Sequence, residues 1–100
     1  MARLVITDPS SGTQIFEITH PTINVGRAET NDLVLHHPSV SRHHARITAL
    51  PGDITLLNDL GSMNKTFVNN VEVQEHQLKD QDRISIGMYE LGMKRRARPI

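Results

Sequence analysis

Three polar segments of the sequence, residues 26–32, 36–44 and 58–65, are rich in side chains that bind anions. A phosphate dianion is held best by planar guanidinium groups that donate in a fork, with hydroxyl and amide donors around its other oxygens. Such donors occur in all three segments: Arg27, Arg42, Ser41, Ser62 and Asn64. If the fold brings the segments together, these groups can converge on one phosphorylated side chain and its neighbours.

The composition of the 100 residues limits both the fold and the ligand. A chain of this length forms one domain with one core. Hydrophobic residues make up 37% and aromatic residues only 3%, so the core must be aliphatic. Lysine plus arginine number 11, as do aspartate plus glutamate, which argues against the broad basic face of a non-specific nucleic-acid binder. Anion recognition must therefore be local.

The chain has no cysteine, which excludes disulfides, thiol catalysis and cysteine-ligated zinc. The apolar run near the N-terminus, Leu4-Val5-Ile6, is too short for the apolar core of a signal peptide. No apolar stretch approaches the roughly 20 residues that a membrane-spanning helix needs. We therefore expect a soluble, cytoplasmic protein that does not enter a membrane.

Apolar and polar residues alternate with a period of two along most of the chain, whereas helical spacing is not sustained anywhere. Turn signals separate the alternating runs, for example at residues 8–12 and at Asn69-Asn70. This pattern predicts an all-β fold, a sandwich of roughly ten or eleven short strands with function in its loops. The alternation ends after Met93, so we expect a domain over residues 1–93 and a basic tail or linker over residues 94–100.

Four segments of the chain, in this order and spacing, resemble the forkhead-associated (FHA) domain. They are Gly26-Arg27, Ser41-Arg42-His43-His44-Ala45, residues 59–69 and residues 78–87. The resemblance runs from about Ile23 to Leu91, and the N-terminal hairpin fits as well. It implies a two-sheet β-sandwich of about eleven short, mostly antiparallel strands, whose loops bind phosphothreonine peptides without catalysis and without a cofactor.

The resemblance also implies roles for individual residues. Arg27 matches an arginine that contacts phosphate or the peptide backbone, and Ser41 matches a phosphate-binding serine. Arg42 occupies the next position, which often adds a phosphate or peptide contact. Asn64 matches the asparagine that hydrogen-bonds the peptide main chain, and Met63 could contribute only its backbone to phosphate binding. Structural support of the binding loops is implied for Gly26, His44, Thr66 and Asn69.

The third segment departs from the family pattern at one position. The usual Asn-Gly-Thr reads Asn64-Lys65-Thr66 here. If the glycine of the family has positive φ, a lysine costs on the order of 1–2 kcal/mol. Lys65 also places a positive charge beside the predicted phosphate site. Ser62 of the same segment has two open roles, as a phosphate donor or as a local hydrogen-bonding group within its turn.

Catalysis and metal binding are two further chemistries to weigh. Ser41, His43 or His44, and Asp59 contain the groups of a Ser/His/Asp triad, but the chain has no Gly-x-Ser-x-Gly elbow. His36-His37 and His43-His44 could supply imidazoles to zinc or copper. Adjacent strand residues point to opposite faces, so each pair offers at most one ligand to a site. We therefore expect neither enzymatic activity nor a bound metal.

Two functions remain open at this point. One is a phosphothreonine-dependent module that recruits partners phosphorylated by a Ser/Thr kinase in signalling. The other is a phosphate-independent interaction or oligomerisation domain, which the altered sequence Asn64-Lys65-Thr66 motivates. Either function suits one domain of a larger regulatory protein, and no nucleic-acid partner is expected.

Overall fold

The computed structural model describes residues 2–10 and 12–95, and within them it contains 11 β-strands. The prediction of an all-β fold is confirmed. Within the same residues, no helix is long and apolar enough to cross a membrane. The strands in chain order are β1 (Ala2–Asp8), β2 (Gly12–Glu17), β3 (Thr22–Gly26), β4 (Leu33–Val34), β5 (Ala45–Leu50), β6 (Ile54–Asp59), β7 (Thr66–Val68), β8 (Val71–Val73), β9 (Glu75–Gln77), β10 (Arg83–Ile86) and β11 (Tyr89–Arg95).

The strands form two sheets that pack against each other as a sandwich. One sheet has six strands in the order β2-β1-β11-β10-β7-β8, and the other has five in the order β4-β3-β5-β6-β9. The described ladders are antiparallel except for the parallel contact between β3 and β4. The predicted two-sheet, mostly antiparallel architecture is therefore confirmed.

The core between the sheets is aliphatic, as the composition predicts. Buried and exposed side chains alternate along the strands, for example over Ala45–Ile47 at the start of β5. Burial of an aliphatic side chain contributes about 1.5–3 kcal/mol, so the inward-facing positions fix the register of each strand. Buried in this core are Leu4, Ile6, Ile23, Val25, Leu33, Leu35, Val40, Ala45, Ile47, Leu57, Val68, Leu78, Ile84, Ile86, Tyr89, Leu91 and Met93.

The turn predicted at Asn69-Asn70 joins β7 and β8. Both asparagines have positive φ, 51° and 70°, a conformation that asparagine adopts more readily than most residues. The Asn69 side chain donates to Asp82 Oδ1 (3.0 Å) and accepts from the N–H of Arg83 (3.0 Å). Asn69 thus ties this hairpin to the start of β10.

The alternation pattern does not predict β9 (Glu75–Gln77), whose residues are polar. This strand forms because β6 offers it an edge, with Leu57 paired to His76. Pairing with a strand that is distant in sequence therefore determines the conformation of a segment whose local pattern does not predict a strand.

The last strand continues past the predicted domain boundary at residue 93. Ala2 pairs with Arg95 and Arg3 pairs with Lys94, so β1 extends β11 by two residues. The Arg95 guanidinium also donates to the Asp53 carbonyl, in the turn before β6, and to the hydroxyl of Thr55 on β6 of the opposite sheet. Residues 96–100 of the predicted tail lie outside the described residues.

The strand register brings the three polar segments to one end of the sandwich. Val25 near the end of β3 pairs with Ala45 at the start of β5, and Ala45 pairs with Asp59 at the end of β6. Because neighbouring antiparallel strands run in opposite directions, the loops after β3, before β5 and after β6 share an end. We call this the loop end.

Candidate functional site

Backbone hydrogen bonds join the first two polar loops directly. The N–H of Arg27 donates to the Ser41 carbonyl (3.0 Å), and the N–H of Ala28 donates to the Arg42 carbonyl (3.2 Å). The buried Asn31 side chain strengthens this contact, because its amide donates to the carbonyls of Ala28 (2.8 Å) and Arg42 (2.7 Å). The positions of Arg27, Ser41 and Arg42 are therefore fixed relative to one another.

Gly26 permits this close approach of two backbones. A Cβ at this position would meet the Arg42 carbonyl oxygen and lie 2.9 Å from Asn31 Nδ2. Nothing larger than a hydrogen fits, so the glycine is required by space. The structural role implied for Gly26 has this steric basis.

The Arg27 side chain is exposed but anchored at one atom. Its Nε donates to the Val40 carbonyl (3.0 Å), which fixes the orientation of the guanidinium plane. The two terminal nitrogens make no hydrogen bond within the described residues, so both can donate to an anion. Arg42 is also exposed and supplies a second guanidinium on the adjoining loop.

His44 connects the second loop to the third from a fully buried position. Its Nδ1 accepts from the N–H of Ser41 (3.0 Å), so the proton lies on Nε2, which donates to the Lys65 carbonyl (3.0 Å). His44 thus contacts the backbone of Ser41 instead of its hydroxyl, and it does not contact Asp59. The His43 side chain makes no hydrogen bond within the described residues, so the triad of Ser41, His43 or His44, and Asp59 considered from the sequence is not assembled there.

Asp59 holds the third loop in shape. One carboxylate oxygen accepts from the N–H groups of Gly61 (2.9 Å) and Ser62 (3.0 Å). The other oxygen accepts from the hydroxyls of Ser62 and Thr66, the latter at 2.7 Å. Burial is the largest single influence on Asp59 and raises its pKa, but these hydrogen bonds together outweigh it and hold the pKa below 3.8.

These contacts decide between the two roles considered for Ser62. Its side chain is buried, with 2% exposure, and its hydroxyl donates to Asp59. Ser62 therefore has the local role, and its hydroxyl does not reach the surface where Arg27 and Ser41 lie. Thr66 is fully buried on the same carboxylate and supports the loop.

Ser41 and Asn64 face each other across the second and third loops. The Ser41 hydroxyl accepts from the N–H of Met63 (3.1 Å), which leaves its own proton for an external acceptor. The Asn64 amide donates to the Ser39 carbonyl (2.9 Å), and its Oδ1 accepts no hydrogen bond from the described residues. Asn64 is exposed and fixed in orientation, so its oxygen can accept from a ligand N–H.

Lys65 adopts a backbone conformation that glycine accepts more readily than lysine does. Its φ is 67°, in the left-handed region, and its side chain is exposed. Its carbonyl accepts from His44, so the strained residue is held in place by the buried imidazole. The lysine is therefore held at a positive φ, which costs backbone energy.

The exposed charges around the site favour an anion. Arg27, Arg42 and Lys65 are exposed cations on the three loops, whereas Asp59 is engaged by four donors from its own loop. The first loop carries two further carboxylates: Glu29 lies 3.7 Å from His36 Nδ1, and Asp32 accepts from the N–H of Asn24 (2.8 Å). A doubly charged group at the centre of these cations would gain both Coulombic attraction and charge-assisted hydrogen bonds.

Sequence reasoning missed two features of the loop end. One is the contribution of Asn31, and the other is the role of Asp59 in holding the third loop. The segment Asp59-Leu60-Gly61-Ser62 does carry a local signal, because aspartate commonly accepts from backbone N–H groups two and three residues later. Asn31 has no comparable signal, since its second acceptor, the Arg42 carbonyl, is 11 residues away.

A family model described as the FHA domain matches residues 23–87, well over half of the chain. The chain belongs to the FHA-domain family. The resemblance seen in the sequence is thereby confirmed.

Known proteins similar to this FHA domain include a regulator and two solved structures. The chain is 34% identical over 83 residues to the glycogen accumulation regulator GarA of Mycolicibacterium smegmatis, covering 83% of this chain and 51% of GarA. An FHA domain from a structural and functional analysis of phosphothreonine-dependent FHA interactions is 30% identical, with a TM-score of 0.83, over 95% of this chain and 98% of that one.

The second structure is Mycobacterium tuberculosis EmbR in complex with a low-affinity phosphopeptide. It is 32% identical with a TM-score of 0.81, and the match covers 94% of this chain and 24% of EmbR. The chain thus spans about half the length of GarA and a quarter of EmbR. Both proteins carry sequence beyond the FHA domain.

Proposed function

We propose that this FHA domain binds phosphothreonine-containing protein segments through Arg27, Ser41, Arg42 and Asn64. The phosphate lies against the two guanidinium groups and the Ser41 hydroxyl. Asn64 holds the ligand main chain beside it, and the third cation, Lys65, adds attraction at the edge of the site. The partner is a protein that a Ser/Thr kinase has phosphorylated, and the domain recruits it.

The observation that carries the proposal is the fixed convergence of these donors at the loop end. Arg27 is oriented by Val40, Ser41 by Met63, and Asn64 by Ser39, each through one hydrogen bond. Each of these side chains also keeps donors or acceptors that make no hydrogen bond within the described residues and can therefore bind a ligand. Preorganised donors lose little freedom on binding, which is what a small, shallow anion site requires for useful affinity.

The FHA relatives support the ligand class. EmbR was solved with a phosphopeptide, and another similar FHA domain was studied for phosphothreonine-dependent interactions. We expect micromolar affinity, about −8 kcal/mol, as suits a reversible signalling contact. By analogy with GarA and EmbR, we also propose that the domain works within a longer cytoplasmic regulatory protein.

The test is calorimetric titration with an oriented phosphothreonine peptide library and its unphosphorylated counterparts. Arg27→Ala is expected to weaken phosphopeptide binding by about 10- to 100-fold, because one or two charge-assisted hydrogen bonds are lost. Arg3→Ala is the matched control, since Arg3 is an exposed arginine on β1 that pairs with Lys94, at the opposite end of the sandwich from the loop end. It should leave the affinity unchanged.

Two results would contradict the proposal. One is equal binding of phosphorylated and unphosphorylated peptides. The other is an Arg27→Ala variant that binds phosphopeptide as tightly as Arg3→Ala does. Either result would favour the phosphate-independent interaction domain considered from the sequence.

A further inference from the structure

Two exposed methionines border the proposed phosphate site. Among the described residues, Met63 is 86% exposed and Met88 is 49% exposed, unusually high values for large apolar side chains. The other exposed large apolar residues lie elsewhere: Ile15 on the edge strand β2, Val71 on the edge strand β8 and Leu50 at the far end of β5. Isolated exposed apolar residues need no explanation, but two at one functional end form a candidate contact surface.

Hydrogen bonds hold both methionines beside the same loop. The N–H of Met63 donates to Ser41 Oγ (3.1 Å), and the N–H of Met88 donates to Ser39 Oγ (3.0 Å). Asn64, next to Met63, donates to the Ser39 carbonyl (2.9 Å). The loop before β5 therefore lies between Met63 on one side and Met88 on the other.

The turn that carries Met88 is packed tightly on this loop. Gly87 has φ 57°, and a Cβ there would lie 2.9 Å from the Ser39 carbonyl oxygen. Met88 is thus held near the site by the backbone of the β10–β11 turn, while its side chain stays half exposed.

We propose that Met63 and Met88 form an apolar subsite that selects phosphothreonine segments with an aliphatic side chain close to the phosphothreonine. The proposal rests on the function proposed above. A ligand held by Ser41 and Asn64 passes close to Met63, because Met63 precedes Asn64, its N–H donates to Ser41 Oγ and its side chain is exposed. Ser39 of the same loop accepts a hydrogen bond from the N–H of Met88, so Met88 lies next to this loop as well.

The chemistry of the two side chains decides the kind of flanking residue. Methionine is flexible and polarisable, so it adapts to leucine, isoleucine, valine or methionine without demanding one shape. A flanking glutamate or lysine placed on two thioethers would lose hydration without gaining a partner there. The cations at the site, Arg27, Arg42 and Lys65, are engaged by the phosphate itself in this arrangement.

The experiment is a set of phosphothreonine peptides in which each flanking position in turn carries leucine, alanine, glutamate or lysine. The unmodified domain is expected to prefer leucine over alanine about tenfold at one or more positions, equivalent to about 1.4 kcal/mol. Met63→Gln and Met88→Gln keep the length of the side chain but make it polar. The double variant is expected to abolish the leucine preference, while its binding of the alanine peptide still requires the phosphate.

Val71→Thr is the matched control, because Val71 is 63% exposed but lies on β8, away from the loop end. It should keep the full leucine preference. Equal affinity of the unmodified domain for leucine and alanine peptides would overturn the subsite, as would a preference for glutamate or lysine, or a leucine preference that survives in the double variant. In each of these cases phosphate dependence is still measured by the same peptides without phosphate, so the wider function is judged separately.

Discussion

Asp59 and Asp82 hold opposite ends of the sandwich in closely similar ways. Asp59 is the last residue of β6, at the loop end, and Asp82 precedes β10 at the other end. Asp82 accepts from the N–H of Lys79 (2.8 Å), from Asn69 Nδ2 (3.0 Å) and from His76 Nε2 (3.3 Å). Burial is the largest influence on Asp82 and raises its pKa, yet the hydrogen bonds together lower the pKa below 3.8, as at Asp59.

The two ends differ in what the fixed loop presents to solvent. At the Asp82 end, Asn69 bonds to Asp82 and Arg83, so its polar atoms are used internally. At the Asp59 end, the carboxylate accepts hydrogen bonds from N–H and hydroxyl groups that hold the loop. Asn64 of the same loop therefore keeps its Oδ1 for a ligand. An aspartate that accepts several hydrogen bonds thus stabilises the fold at one end, and at the other end it also holds a loop that presents a binding residue.

The largest expected effect is the loss of either carboxylate. Asp59→Ala is expected to lower the free energy of unfolding by about 2–4 kcal/mol, because it leaves two N–H groups and two hydroxyls unsatisfied. Asp82→Ala is expected to cost about 1.5–3 kcal/mol, since fewer donors lose their acceptor. Urea unfolding followed by circular dichroism measures both values.

Phosphopeptide titration of the same two variants separates the roles of the two ends. For the folded protein, Asp59→Ala should also weaken binding at least about fivefold, since Asn64 loses its support, whereas Asp82→Ala should not. Equal affinity in the two variants would remove the functional distinction between the ends.

The pH dependence of stability is the next test. Both aspartates have a folded-state pKa below the ordinary value of 3.8, so each binds protons more readily when the chain is unfolded. Their stabilisation is therefore fully present above about pH 4 and is lost as the pH falls through the folded-state pKa values. Asp59→Asn and Asp82→Asn should each flatten the fall in unfolding free energy below pH 4. Val71→Thr, on β8, changes no titrating group and should leave the slope of the unfolding free energy against pH unchanged.

The smallest expected effect concerns two residues with positive φ, one near each end. Lys65 has φ 67° and Gln81 has φ 74°. Lys65→Gly is expected to raise the free energy of unfolding by about 0.5–1 kcal/mol, because relief of left-handed strain exceeds the entropy cost of glycine. Gln81→Gly should gain less, since the Gln81 side chain accepts from Lys94 (2.7 Å).

Lys65→Ala provides the control for this comparison. It removes the same charge and keeps the strained φ, so it should not raise stability. If Lys65→Ala stabilises the domain as much as Lys65→Gly, charge rather than backbone strain is responsible. Thermal unfolding of the three variants distinguishes the two causes.

Much of the fold could be predicted from local sequence, because local chemistry decides it. Alternation predicts the longer strands, and the low aromatic content predicts the aliphatic core. Asn69-Asn70 predicts its own hairpin, since asparagine accepts the positive φ that the turn needs. By contrast, β9 and the end of β11 depend on edges supplied by β6 and β1, so local pattern could not predict them.

For the site, the residue types alone were enough to name the groups that can bind a phosphorylated segment: Arg27, Ser41, Arg42 and Asn64. The tertiary structure decided which of the candidate groups face outward. Ser62 points inward because Asp59 takes its hydroxyl, whereas Ser41 keeps its proton because Met63 donates to it. These outcomes depend on contacts within and between the folded loops, because residue type alone does not tell which partner a side chain hydrogen-bonds to.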